Sequence, residues 1–242
     1  MRLTRVYVDA ALTPGAQLAL AGSAANHVLR VLRLRAGAEL TLFNGSGGEY
    51  SARIAATKGS AVSVAVGEFR AIERESPLTL TLAHGVSRSE RMDLVVQKAT
   101  ELGVSRLVPV LTERSVVRLP TGQAERKLSH WRAIAIGACE QCGRNRLPDI
   151  EAPAALADYV KHGNGTTRLL LSPVSATSLT DAPRPGDAIT VLVGPEGGLT
   201  ELEQAAAVAG GFTPVRLGPR VLRTETAAIA AVALLQREYG DL

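Results

Sequence analysis

Three apolar runs in the C-terminal third constrain the fold of this chain most: RLLLSP at 168–173, AITVLVGP at 188–195 and PVRLGP at 214–219. Each is apolar on successive residues rather than on alternate ones, and each ends at a proline. A strand that is apolar on both faces must be covered on both, which calls for a parallel sheet buried between helices. LTLTLAHGV (78–86) and RLVPVLT (106–112) also read as strands. Helical spacing separates them. Met92, Val95, Val96, Ala99 and Leu102 form one face, Ser87 and Glu90 have the spacing of a capping box, and Gly103 suits the stop. Further helices are expected at about 122–142, 200–209 and 225–239. Strand–helix alternation of this kind predicts an α/β domain.

The first 74 residues follow another pattern. Short apolar runs recur at RVYV, AELTLF, EYSARIA and AVSVAVGEF, punctuated by NGSGGE and KGS, and predict strands. One helix is expected in ANHVLRVLRLRAG, with Val28, Val31, Leu32 and Arg35 on one face. Several strands and a small helix predict a compact barrel. AIERESP (71–77) reads as the linker, which divides the chain into 1–74 and 75–242.

Charge follows the same division. Residues 1–74 carry nine Arg and Lys against five Asp and Glu, while the rest of the 242 residues carries eighteen of each. An excess of +4 confined to the first third points to an anionic partner, nucleic acid first. No run is long enough for a membrane helix, and MRLTRVYVDA lacks the apolar core of a signal peptide, so the cytoplasm is the expected location. Cys139 and Cys142 have C-x-x-C spacing but no second pair to complete a structural zinc site. They fall on a helical pattern and read as reduced thiols; no metal is expected. His27 and His84 stand alone and read as structural.

The corner after 188–193 is the best ligand site. Gly194 and Pro195 turn the chain, Gly197 and Gly198 leave the main chain bare, and Thr200 with Glu203 forms a capping box. Ligands bind α/β proteins at such strand ends. A phosphate loop would need a lysine after its glycines, and none follows; Glu196 would repel an anion. A neutral or cationic ligand with an adenine face, such as a sulfonium, suits the loop better.

ERMDLVVQKATELGV (90–104), ACEQCGRNRLP (138–148), VGPEGGLTE (193–201) and LGPRVLRTETA (217–227), taken in order, resemble the RsmE family of SPOUT-class RNA methyltransferases. HVLRVLRLRAG with LFNGSGGEY resembles that family's opening domain. The resemblance covers nearly the whole chain. It implies a PUA-like RNA-binding β-barrel over 1–74 and, over 75–242, an α/β methyltransferase domain with a trefoil knot. It implies methylation of N3 of a uridine in small-subunit ribosomal RNA, free or assembled, by a homodimer whose C-terminal helix, TAAIAAVALLQREYG, either meets a partner or lies in the core.

The same resemblance implies S-adenosyl-L-methionine held by three loops: Leu171, Ser172 and Pro173; Val193, Gly194, Pro195, Gly197 and Gly198; and Leu217, Gly218, Leu222, Thr226 and Ala227. Glu196 and Glu225 are candidate general bases for the N3 proton. Arg220 and Arg223 are the alternative, by stabilising charge on the uracil oxygens. RNA contacts are expected from Arg2, Arg5, Arg30, Arg33, Arg144 and Arg146. Two other readings stay open: a SPOUT enzyme acting on transfer RNA or ribose, and a non-catalytic RNA-binding assembly factor.

Overall fold

The computed structural model describes residues 4–115, 122–162, 167–182, 186 and 188–242. The chain packs as two units. One comprises Met1–Glu75 with Ile136–Leu147, the other Ser76–Ala135 with Pro148–Leu242. The expected division at 74/75 did not include the transfer of 136–147 to the first unit.

In the first unit, strands β1 (Arg5–Tyr7), β2 (Gln17–Leu20), β3 (Glu39–Phe43), β4 (Glu49–Lys58) and β5 (Ala61–Arg70) form one sheet in the order β1-β3-β4-β5-β2. The β4–β5 ladder slips between Tyr50 and Ala52 and again between Ile54 and Ala56. Such irregularities bend and twist a strand pair, and the sheet curls into a half-barrel with β1 and β2 as its edges. Its core is Val6, Val28, Leu42, Ile54, Val62 and Val64. The helix expected in ANHVLRVLRLRAG is shorter and differently wound. Helix α1 (Gly22–Asn26) passes into a π-helical turn over His27–Val31, closed by Leu32 N–H to His27 O at 2.9 Å. The wider turn rotates Val31 out to 65 % exposure, off the face it was expected to share with Val28. Arg33 then takes φ of 54°, which ends any helical continuation.

The second unit carries β6 (Thr79–Gly85), α2 (Ser89–Glu101), β7 (Arg106–Leu111), the first part of α3 (Gln123–Cys142), β8 (Asp149–Ile150), β9 (Ala154–Ala155), α4 (Leu156–Tyr159), β10 (Thr167–Leu171), β11 (Ala188–Val193), α5 (Glu201–Ala209), β12 (Thr213–Val215) and α6 (Thr224–Tyr239). Its sheet runs β12-β10-β11-β6-β7-β8, with β9 also on β7, and every pairing is parallel. Successive side chains go to opposite faces. Leu80, Leu82, Val191 and Val193 meet Val95, Val96, Trp131, Ala228 and Val232 on one side. Ala83, Leu170 and Leu192 meet Leu156, Ala207 and Phe212 on the other. This is why the strand sequences are apolar throughout.

Two local signals resolve differently. Thr200 and Glu203 form the expected capping box: the Thr200 hydroxyl accepts from Glu203 N–H at 3.2 Å and the Glu203 carboxylate accepts from Thr200 N–H at 2.9 Å. Ser87 and Glu90 do not. Arg88 is the N-cap of α2, and the buried Ser87 hydroxyl donates to Gly85 O at 3.1 Å. The strand's exit turn takes the hydroxyl before the helix can.

Candidate active site

Parallel strands end together, so their following loops meet at one edge of the sheet. The loops after β10, β11 and β12 meet α2 and the start of α6 around a cleft of about 560 Å³. Leu171, Ser172 and Pro173 form one wall. Val193, Gly194, Pro195, Gly197 and Gly198 form another, and Leu217, Gly218, Leu222 and Ala227 a third. Of the residues expected to hold a cofactor, Thr226 alone is outside the lining; it lies exposed in the first turn of α6. Glu196, Arg220 and Arg223 line the cleft, and Glu225 does not.

The glycine corner is built by close approach. A Cβ at Gly85, the last residue of β6, would collide with the Pro195 nitrogen, so only glycine lets the corner settle on β6. Gly194 needs room rather than an unusual φ, because a Cβ there would crowd Leu199 at 3.2 Å. Positive φ appears instead at Gly198 (68°) and Gly218 (101°).

Beneath the corner lies a hydrogen-bonded chain that no local sequence pattern signalled. Thr224 Oγ1 is 2.5 Å from Gly194 O and 3.1 Å from His84 Nε2. A carbonyl can only accept, so the single hydroxyl proton goes to Gly194 O. Oγ1 then accepts from His84 Nε2–H, which fixes the tautomer of a neutral imidazole. His84 is fully buried, and burial lowers its pKa to about 4 against the opposing pull of Gly85, Thr224, Glu196 and Glu225.

Glu196 is a brace. Its Oε1 accepts from Arg88 N–H at 3.0 Å and lies 3.3 Å from Arg91 Nη1. Desolvation pushes its carboxyl up. Hydrogen bonds from the Arg88 and Glu196 amides and the Arg91 cation outweigh it, and its pKa ends below the usual carboxylate range. Such a carboxylate is held ionised between the Arg88 amide and the Arg91 cation. Arg91 is the site residue that sequence reasoning missed. It lines the cleft between Glu196 and Glu225, the latter at 3.9 Å. Its signal was available: it lies in the ERMD stretch, beside the buried Met92 but on another face. Arg220 and Arg223 are exposed and have no ion-pair partner among the described residues.

The arginines of the first unit divide. Arg5 is 2 % exposed, ion-paired with Glu49, bonded to Arg144 O at 3.0 Å and Asn145 Oδ1 at 2.5 Å, and stacked on Phe43. Arg144 is 4 % exposed and grips the Glu75 carboxylate through Nε and Nη2. Both were expected to contact RNA. In the fold both are buried, and each is ion-paired with a carboxylate of the same unit. Arg30, Arg33 and Arg146 are exposed, with Arg146 3.7 Å from Glu73; Arg2 lies outside the described residues. Cys139 and Cys142 form no disulfide, and the Cys139 pKa is raised by its hydrogen bond with Cys142 and by burial. No cluster of metal-ligating side chains occurs among the described residues, and no described helix is long and apolar enough to cross a membrane.

Two family models match the chain: an RNA methyltransferase domain over residues 74–236 and an RNA methyltransferase PUA domain over 20–66. The ribosomal RNA small subunit methyltransferase E of Buchnera aphidicola (subsp. Schizaphis graminum) is 31 % identical over all of this chain and 98 % of its own length. That of Bacillus subtilis is 28 % identical over 97 % of this chain and 94 % of its own. The Neisseria gonorrhoeae ribosomal RNA small subunit methyltransferase E, solved with S-adenosyl methionine, superposes with a TM-score of 0.92 at 37 % identity over the full length of both chains. A Legionella pneumophila protein solved with bound SAM superposes at 0.96 and 41 %, again over both full lengths.

Proposed function

The chain belongs to the ribosomal RNA small subunit methyltransferase E family, and we propose on that footing that it methylates N3 of a uridine in small-subunit ribosomal RNA, with S-adenosyl-L-methionine as donor. The observation that carries this is the cleft where the β10, β11 and β12 loops meet. Its residues fit the donor. The volume lies within the ~300–1,000 Å³ of small-molecule sites. Gly194, Gly197 and Gly198 put no side chain into the cleft, Leu171, Leu217 and Leu222 offer apolar surface for a planar base, and Glu196 sets negative charge in the wall to meet a sulfonium. When bound, S-adenosylmethionine supplies a methyl group already activated by positive sulfur.

The protein's own work is then to orient the uracil, keep water out and handle the N3 proton. Loss of that proton spreads negative charge over the uracil oxygens. Arg220 and Arg223 line the cleft without an ion-pair partner among the described residues. They can bear that charge and so lower the cost of deprotonation. Glu196 acts through Arg91, and Glu225 through its place in the first turn of α6 as well as through Arg91. RNA is held by the first unit through exposed Arg30, Arg33, Arg35 and Arg146.

The trefoil knot and the homodimer belong to the same proposal. β11 inserts between β10 and β6, and the chain returns to set β12 outside β10, a strand order that a knot can use. Helix α6 commits Ala228, Ala231, Val232 and Leu235 to its own core; a partner would meet its other face, where Leu234 is 47 % exposed. The cytoplasm is the proposed location.

The test is incubation with labelled donor and small subunits or naked ribosomal RNA, followed by digestion and identification of the methylated nucleoside. Uridine methylated on the base at N3 is expected. Methyl on ribose, methyl on transfer RNA alone, or no product overturns the proposal.

A further inference from the structure

We propose that His84 is the positioning residue of the donor cleft, acting through Thr224 to fix the Gly194–Pro195 corner to the start of α6. The inference deepens the methyltransferase reading and rests on it.

Three segments at or beneath the cleft come from distant parts of the sequence: the end of β6 under the corner, the turn after β11 and the first turn of α6. One hydroxyl joins them. Thr224 Oγ1 gives its proton to Gly194 O at 2.5 Å and takes one from His84 Nε2 at 3.1 Å. Thr224 is 8 % exposed and His84 wholly buried, so water cannot replace either partner. Gly194 O is therefore turned inward, which fixes how the corner that lines the cleft is set. The direction of the chain matters. With the imidazole protonated on Nδ1 alone, Nε2 would be an acceptor facing Thr224 Oγ1, the hydroxyl would turn toward it, and Gly194 O would lose its donor. His84 thus sets the polarity that holds the corner, without touching a ligand itself; it does not line the cleft.

A buried histidine of purely structural use would change stability and leave donor affinity alone. A positioning role makes a different set of outcomes. Thr224→Val keeps the shape and removes the hydroxyl; His84→Leu removes the donor. Each is expected to weaken S-adenosylmethionine binding, read by calorimetry and as KM, about tenfold, equal to about 1.4 kcal/mol, with kcat within about twofold of wild type. Thr224→Ser and His84→Gln, which retain a hydroxyl and an N–H donor, are expected to restore affinity to within about threefold. The double variant His84→Leu/Thr224→Val should be no weaker than either single one, since both break one chain.

Additive losses, equal losses in the conservative and disruptive variants, or unchanged affinity in folded Thr224→Val would overturn the inference. Nitrogen NMR of the wild-type His84 ring needs no donor: Nε2 protonated and Nδ1 bare at pH 7 is expected, and the reverse tautomer also overturns it. If wild type binds no S-adenosylmethionine while that tautomer is found, the methyltransferase reading fails and the hydrogen-bonded chain stands.

Discussion

Acid should weaken the second unit through His84 in a way that can be isolated. The ring is fully buried and its pKa is lowered to about 4, chiefly by loss of solvation. In the unfolded chain it titrates near 6.5. Between these values the unfolded state binds a proton that the folded state refuses, so stability falls as pH falls. The contribution is fully present above about pH 6.5 and is lost progressively toward pH 4. The two pKa values correspond to a loss of about 3 kcal/mol. Glu196 and Glu225 face the ring and favour its protonation, but burial outweighs both. The perturbation is His84→Gln, which keeps a donor for Thr224 and cannot titrate. Trp131, the only tryptophan, is 1 % exposed in the same unit, so its fluorescence reports this unit's unfolding. Urea unfolding from pH 7 down to pH 4 should show wild type losing about 3 kcal/mol more than the variant. Parallel curves for the two proteins would refute the buried neutral ring.

Other outcomes follow from the same structure. Glu196→Gln should slow methyl transfer at saturating substrates by less than about tenfold, because a brace is weakened rather than a general base removed; a loss in the ~10²–10⁴ range of acid–base catalysis, with donor affinity intact, would restore Glu196 as the base. Arg144→Leu strands the Glu75 carboxylate and should cost the first unit about 3–5 kcal/mol, read by denaturant unfolding; a cost below about 1 kcal/mol would show the tie to be idle. Replacing Arg30, Arg33 and Arg35 together by alanine should flatten the log–log salt dependence of RNA binding by about 2, at about 0.7 for each phosphate no longer neutralised; an unchanged slope would place the RNA elsewhere.

Patterns that repeat along the chain were readable, and contacts that close across it were not. The strands of the parallel sheet announced themselves because both of their faces are buried, and Thr200 with Glu203 announced a cap because both partners lie within one turn. Strand β2 went unread: it is an edge strand of four residues, and only Leu20 in it is buried. The helix of the first unit was misread for a geometric reason. Helical spacing assumes 3.6 residues per turn, and the π turn over His27–Val31 breaks that count, sending Val31 outward. In the site, the glycine loops were legible as places where a side chain would intrude. His84 was not, since its meaning comes from a partner more than one hundred residues away, and Arg91 lay within a matched stretch while its role came from Glu196 and Glu225, equally distant.

The arginines show why charge counted along a chain overstates charge offered to a partner. The excess of the first 74 residues looked like one basic surface. In the fold, Arg5 is sealed against Glu49, with Arg70 and Arg74 within 4 Å of the same carboxylate, and Arg53 pairs with Glu39. Arg144, from much further along the sequence, is committed to Glu75. Burying a guanidinium is costly unless its hydrogen bonds are met, and here Glu49, Arg144 O and Asn145 meet them for Arg5. The arginines still exposed without an ion-pair partner among the described residues of this stretch are Arg30, Arg33 and Arg35, on or just after the π turn. The turn that broke the helical count therefore does something the regular helix could not. It ends the helix at Leu32 and puts Arg33 in a left-handed conformation, so that three cations fan out from one short segment instead of lining a helix face. On the proposed reading an anionic backbone would meet a local cluster there, and the depth of the salt dependence would be set by those few side chains rather than by the net charge of the domain.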